Sequence, residues 1–212
     1  MAMDKNAEAI QTFNKHAAAY NERFGKLDLY NDTYELFSAL IPLRHSSILD
    51  VGCGPGNITN HLLRKRPDLK ITGVDLAPNM IAIARENNPQ AEFHVMDCRE
   101  ISLLKEKYDA IICGFAIPYL DKDEVAKLIS DCAALVKEEG ILYFSLIEGK
   151  YENSGYQFAS NGIDRSYVYY YNSVKMLSLL EQCNLKLVQN MDFQWKRNDS
   201  TVETHLVFIV TK

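Results

Sequence analysis

Apolar residues recur along this chain in two rhythms. Before residue 42 the spacing is helical: Ile10, Phe13, Ala17 and Tyr20 form one stripe, and Leu29, Thr33, Leu36, Phe37 and Leu40 form another that Pro42 ends. From Ser47 onward short apolar runs alternate with helical stretches. Strands are predicted over 48–52, 69–75, 91–97, 108–113 and 140–147, and helices over 56–66, 78–88 and 122–137. Pro78 suits the first turn of its helix, and Gly140 suits the C-cap position before a strand. Val125, Leu128, Ile129, Cys132 and Val136 give the last of these helices an apolar face. Strands rich in β-branched residues alternating with helices imply a parallel sheet covered on both sides.

The rhythm then breaks. Residues 148–172 are polar and carry Tyr151, Tyr156, Tyr167, Tyr169, Tyr170 and Tyr171. A link this long is either a functional lid or partly disordered. Asn172 or Ser173 can N-cap a helix through about residue 183, and strands follow near 185–191 and 202–210. Their short connection at Asn198-Asp199-Ser200 reads as a hairpin, which makes the final strand antiparallel.

Composition narrows the class. A chain of 212 residues holds one well-buried domain and is short for two. The net charge of -5 disfavours a nucleic-acid partner. Arg64-Lys65-Arg66 is then either a local basic patch or cations closing a helix. The five cysteines, Cys53, Cys98, Cys113, Cys132 and Cys183, show no metal-ligand or redox spacing. Neither a secretory core nor an apolar run of membrane-spanning length is visible. A cytoplasmic protein, without a bound metal and away from membranes, is the expectation.

The candidate chemistry begins at Ile48-Leu49-Asp50-Val51-Gly52-Cys53-Gly54-Pro55-Gly56-Asn57, a strand running into a glycine loop that opens a helix. Glycine there lets backbone approach a ligand closely. A second strand ends in Asp75, whose carboxylate can accept from both hydroxyls of a ribose. The pair predicts an adenosine-bearing ligand. A dinucleotide fits poorly: the third glycine comes one residue before its place in G-x-G-x-x-G, and Pro55 removes an N–H that a pyrophosphate would use.

These motifs resemble the class I S-adenosylmethionine-dependent methyltransferases over nearly the whole chain. Asp50 to Gly56 looks like the family's first motif, Asp-x-Gly-x-Gly-x-Gly. Val74-Asp75 with Pro78-Asn79-Met80 is similar to the second, and Met96-Asp97-Cys98 matches the third in position. Tyr108 to Ile112 and Leu135 to Gly140 are like the fourth strand and the turn into the fifth. The resemblance implies an α/β, Rossmann-like doubly wound sheet of seven strands, order 3-2-1-4-5-7-6 with strand 7 antiparallel, under an N-terminal helical cap. The chain then divides into a cap at 1–45, a cofactor-binding core at 46–147, an acceptor-side insert at 148–172 and a C-terminal helix and β-hairpin at 173–212.

By the same resemblance, Gly52, Cys53 and Gly54 approach the methionine part of S-adenosylmethionine and Asp75 holds the ribose. Asp50 either meets the cofactor's ammonium or only orders the loop. Asp97, with Cys98 and Arg99 beside the ring, either accepts from the adenine amino group or caps the turn that follows. Leu76 and Met80 form an apolar wall, unless Met80 is plain helix core. Tyr20, with Arg23 beside it, reaches the methionine carboxylate, or is part of an aromatic stripe. Phe115 belongs to the segment passing under the cofactor. Amino-methylating relatives acting on nucleic acid carry Asn/Asp-Pro-Pro-Tyr/Phe there, whereas this chain has Ala116-Ile117-Pro118-Tyr119.

The expected activity is in-line transfer of a methyl group to a small-molecule acceptor, leaving S-adenosylhomocysteine. The acceptor is expected among aromatic side chains of the cap and insert. Arg165 either binds an acceptor carboxylate or makes a surface salt bridge, and the tyrosine run suits a lid or a homodimer interface as well as a monomer. No histidine–carboxylate pair announces itself, so no base is assigned; Tyr119, His16 and an insert tyrosine are the candidates. The rival reading is a cofactor-binding regulatory or partner-activated protein without turnover of its own.

Overall fold

The computed structural model describes residues 4–41, 44–159, 161–197 and 200–212. Strands β1 (Ser47–Val51), β2 (Lys70–Asp75), β3 (Glu92–Val95), β4 (Tyr108–Cys113), β5 (Val136–Ile147), β8 (Lys186–Lys196) and β9 (Val202–Thr211) form one sheet in the order β3-β2-β1-β4-β5-β9-β8. The pairs among β1 to β5 are parallel, and β9 runs antiparallel between β5 and β8. This is the expected topology; the two strands that shift the numbering, β6 (Gly155–Phe158) and β7 (Arg165–Val168), form a separate antiparallel hairpin.

Successive strand side chains point to opposite faces, and both faces here are buried. Leu142, Phe144 and Leu146 of β5 join Leu206, Phe208 and Val210 of β9 on one face. That face packs on helix α6 (Lys122–Leu135) through Val125, Leu128, Ile129 and Cys132. On the other face Tyr143, Val207 and Ile209 meet Phe37 of helix α3 (Asn31–Ala39) and Leu62 and Leu63 of helix α4 (Asn57–Lys65). Each such side chain contributes about 1.5–3 kcal/mol on burial. The start of α6 is fixed by a capping box, with Asp121 accepting from the Glu124 N–H and Glu124 accepting from the Asp121 N–H.

Several boundaries differ from expectation. The first apolar stripe is broken at His16 into α1 (Lys5–Lys15) and α2 (Ala17–Phe24), because His16 leaves the helical region at φ -104° and ψ 18°. Helix α6 ends at Leu135, and β5 begins at once by pairing Val136 with Tyr108 before an irregularity. Gly140 is therefore a strand residue rather than a C-cap. It is needed for space, since a Cβ there would lie 2.9 Å from the Asp109 carbonyl oxygen. Strand β8 extends to Lys196, beyond the expected 191, because its polar residues alternate along an edge strand. Asn172 caps helix α7 (Ser173–Gln182) by accepting from the Lys175 N–H. Pro42, Asn198 and Asp199 lie outside the described residues.

Among the described residues of the tyrosine-rich insert, β6 and β7 supply regular structure. Its β6–β7 hairpin is tied to α1: the Thr12 hydroxyl donates to the Arg165 carbonyl at 2.8 Å, Arg165 pairs with Glu8 at 2.6 Å, and Asp164 takes both Lys15 and His16 at 2.7 Å. The Lys5 ammonium sits 3.6 Å above the Tyr167 ring. The far end of α1 bonds to helix α5 (Pro78–Asn87), where Asn14 accepts from the Asn79 N–H. Among the described residues no helix is long and apolar enough to cross a membrane.

Candidate cofactor and acceptor site

The site lies at the carboxyl ends of β1, β2 and β4. Gly52 and Gly54 both take left-handed φ values, 69° and 52°. A Cβ on Gly52 would stand 2.8 Å from the Ala116 Cβ, whereas one on Gly54 would meet nothing within 4 Å. Gly52 thus lets two loops touch, and Gly54 leaves open space. Asp75 accepts from the Gly54 N–H at 3.0 Å and from the Ala77 N–H at 2.8 Å. Burial pushes its carboxyl up from the ordinary range, and the two backbone donors act against that rise. Each oxygen retains a further lone pair.

Two cavities meet here. A small one of about 90 Å³ lies under α1, lined by Asn6, Ala9 and Ile10 from above and by Asp75, Leu76, Met80, Met96, Asp97 and Cys98 below. A larger cleft of about 690 Å³ opens toward α2, α3, β6 and the β8–β9 hairpin. Phe13, Tyr20, Gly52, Gly54, Gly114, Phe115 and Tyr119 line both. Phe115 holds a left-handed φ of 59°, uncommon for an aromatic residue, and its N–H donates to the buried Ser145 hydroxyl at 2.9 Å.

The structure brings most of the expected residues together. Tyr20, Gly52, Gly54, Asp75, Leu76, Met80, Asp97, Cys98 and Phe115 line the small cavity. Met80 is also 2 % exposed against Ala17 and Ala77, so it is wall and core at once. Asp97 caps the turn after β3 by accepting from the Arg99 N–H and also binds the Arg99 guanidinium. Cys53 faces the larger cleft.

Other placements differ. Asp50 is fully buried below the loop: Thr59 donates to one oxygen at 2.7 Å, and the other has no hydrogen-bond partner. Arg99 is taken up by Asp97, Glu124 and Asp4 rather than lying beside the cavity. His16 lines the cleft with its Nε2 bonded to Asp164. Burial pushes the Tyr119 phenol well above its ordinary range, which keeps it protonated. Arg165 is held by Glu8 and by the Tyr156 ring 3.9 Å away. Lys65 pairs with Glu35, and Arg66 with Asp68, at the end of α4. The five cysteines are unpaired.

A polar cluster in the larger cleft escaped the sequence. His205 and Glu203, two apart on β9, share one strand face. The His205 Nδ1 lies 2.5 Å from the Tyr30 hydroxyl, and its Nε2 lies 3.7 Å from Glu203 Oε2 with no hydrogen-bond partner. Glu203 also takes Arg197 at 2.8 Å and the Tyr170 hydroxyl at 3.2 Å. Burial pushes Glu203 up, but the nearby His205 ring and the bonded Arg197 guanidinium outweigh it and hold the carboxyl down to about 2. Trp195 stacks on His205, and Phe115 meets it edge-on. The Glu-x-His spacing was the available signal. Asn6 was also missed: it is buried on the small cavity wall with an amide oxygen that lacks a donor.

Residues 48–140 match the family described as a methyltransferase domain. That match takes in the glycine loop and strands β1 to β4, and the sheet order around it is the one expected of a class I S-adenosylmethionine-dependent methyltransferase fold. Among its relatives are a malonyl-[acyl-carrier protein] O-methyltransferase from Acetivibrio thermocellus, 37% identical over 46% of this chain and 34% of that protein. A ubiquinone biosynthesis O-methyltransferase from Coxiella burnetii is 30% identical over 53% of this chain and 48% of that one. The chain thus aligns with half or less of these curated relatives. In fold it is similar to a magnesium protoporphyrin IX methyltransferase from Synechocystis, with a TM-score of 0.74, 16% identity and coverage of 100% of this chain and 99% of that one.

Proposed function

We propose that this protein binds S-adenosylmethionine and transfers its methyl group to a small-molecule acceptor held in the larger cleft. The observation that carries the reading is Asp75, fixed by two backbone N–H groups beside a glycine loop whose missing side chain leaves room for a ligand. The residues fit the cofactor. Asp75 would take the ribose, while Asp97 and the donor-less oxygen of Asn6 would face the adenine amino group. Leu76, Met80 and Met96 supply apolar contact. When bound, the sulfonium makes a methyl group open to in-line attack. The protein contributes orientation, worth up to about 7–11 kcal/mol as effective molarity, and walls that exclude water.

The cleft volume of about 690 Å³ suits a small molecule. Its walls include Phe24, Tyr30, Phe158 and Trp195 beside Arg23 and Arg197, which favours a ring-bearing acceptor. The malonyl-[acyl-carrier protein] and ubiquinone biosynthesis relatives are both O-methyltransferases, which supports methyl transfer to oxygen. In this reading the protein acts in the cytoplasm, as monomer or homodimer, and its net charge of -5 supports an acceptor other than nucleic acid. Within the single domain, 1–45 would serve as cap, 46–147 as cofactor core, 148–172 as acceptor-side insert and 173–212 as the closing helix and hairpin.

Titration calorimetry tests the cofactor site. S-adenosylhomocysteine should bind the wild type, and Asp75→Ala should weaken binding by at least about tenfold, as expected for lost charge-assisted hydrogen bonds. Unchanged affinity would remove Asp75 from the site. Transfer of labelled methyl into a metabolite extract separates an enzyme from a binding protein.

A further inference from the structure

The methyl-transfer reading leaves open what charge the larger cleft is built to hold. Its wall is opposite in sign to the chain as a whole. Among the described residues, Arg23, Lys26, Arg64 and Arg197 line it against one carboxylate, Glu203, whereas the chain carries a net charge of -5. Glu203 is taken by Arg197 at 2.8 Å, so no acid of the wall is left for the other cations. The basic run at the end of α4 shows the same selectivity. Asn57, Asn60, His61 and Arg64 follow one another at i, i+3, i+4 and i+7, on a single helix face, and all line the cleft. Lys65 and Arg66 lie off that face and are paired with Glu35 and Asp68 at 2.7 and 2.9 Å. Arg64 has no carboxylate partner among the described residues, and neither has Lys26 in the exposed turn after α2. Closing the helix does not explain that division. All three cations stand near the C-terminal dipole, and only the one on the cleft lacks an acid.

We propose that the acceptor is an anion, with a carboxylate or phosphate group that Lys26 and Arg64 hold while the atom to be methylated lies nearer the glycine loop. The inference rests on the methyl-transfer reading above. Arg64 lies two helical turns beyond Asn57, about 10 Å along the α4 axis, so the anionic group and the reacting atom are separate parts of the acceptor. A guanidinium can bind either kind of anion through two parallel N–H bonds, and Lys26 adds a point charge. A cleft walled by one sign of charge also concentrates ions of the other sign at its mouth. Both side chains are exposed, so the contact is screened by salt and contributes to selection more than to raw affinity. Arg23 is left out of the assignment because it is the cation expected beside the methionine carboxylate.

Trp195, the chain's one tryptophan, lines the cleft and reports its occupancy by fluorescence. The probes are 4-phenylbutyrate, its neutral amide 4-phenylbutyramide, and 3-phenylpropylphosphonate, each titrated into protein saturated with S-adenosylhomocysteine. At low ionic strength the carboxylate should bind about tenfold more tightly than the amide, as expected for charge-assisted hydrogen bonds. That preference should fall by about threefold in Lys26→Gln or Arg64→Gln, vanish in the double variant, and shrink as salt is added. Lys65→Gln removes the same charge from the neighbouring, acid-paired position and should leave the preference unchanged. Tighter binding of the phosphonate than of the carboxylate would assign a phosphate to the acceptor, and the reverse order a carboxylate. Equal affinity for carboxylate and amide, binding of neither, or a preference that survives the double variant overturns the anion site. Loss of S-adenosylhomocysteine binding in the double variant alone would give these cations to the cofactor and also overturn it. Failure of the wild type to bind S-adenosylhomocysteine overturns the methyl-transfer reading instead, so the two failures are distinct.

Discussion

Asp50 has Thr59 on one carboxylate oxygen and nothing on the other, and burial pushes its carboxyl up to about 7. A raised folded-state value means that the neutral acid is the stable form. The stability it supplies is complete below about pH 4 and is lost as pH rises through 7. Asp50→Asn keeps the acceptor for Thr59 and removes the buried charge. It should raise stability at pH 8 by on the order of 2–4 kcal/mol, a gain that shrinks toward pH 4 in thermal melts. The same change should weaken S-adenosylhomocysteine binding if the donor-less oxygen serves the cofactor's ammonium, and leave it unchanged if Asp50 only orders the loop. Asp75, Gly52 and Gly54 were legible because their chemistry is local: a strand end, a turn and an acid about one βα unit further on. His205 was not. Its meaning depends on Tyr30 and Trp195, which reach it only after β9 has inserted between β5 and β8.

The cap and the insert form one body at the scale of elements. The sequence showed helical cap stripes and an unusual linker, but no local pattern showed that Arg165, Asp164 and Tyr167 would anchor on α1. The break at His16 was hidden for the opposite reason. Apolar spacing continues through it, while the backbone turns to let His16 and Lys15 share Asp164. The small cavity lies directly under α1 and joins the larger cleft, so the ties that hold α1 bear on access to it. Asp164→Ala cuts two of the ties. Hydrogen exchange should then quicken across Lys5–Lys15 with little change in the unfolding midpoint, since exposed pairs contribute little to global stability. Equal protection in both proteins would show that the ties do not hold the cap.

Across the whole molecule, sheet order was the most legible property, because buried strands and covering helices impose their own rhythm. The exact reach of β5 and β8 was not legible: irregular pairing after Tyr108 and an edge of alternating polar residues obey register more than hydrophobicity. Phe208 links both levels, being fully buried on β9 three residues from His205. Phe208→Ala should cost about 3–5 kcal/mol in urea unfolding, as expected for a cavity in a close-packed core. The charged ties between α1 and the hairpin have a further consequence for how the protein behaves in different media. Lys15 is well exposed and pairs with Asp164, and Arg165 with Glu8, so dissolved ions compete for these contacts. Rising ionic strength would therefore loosen α1 over the small cavity, the reverse of the tightening expected where a contact is held by apolar packing.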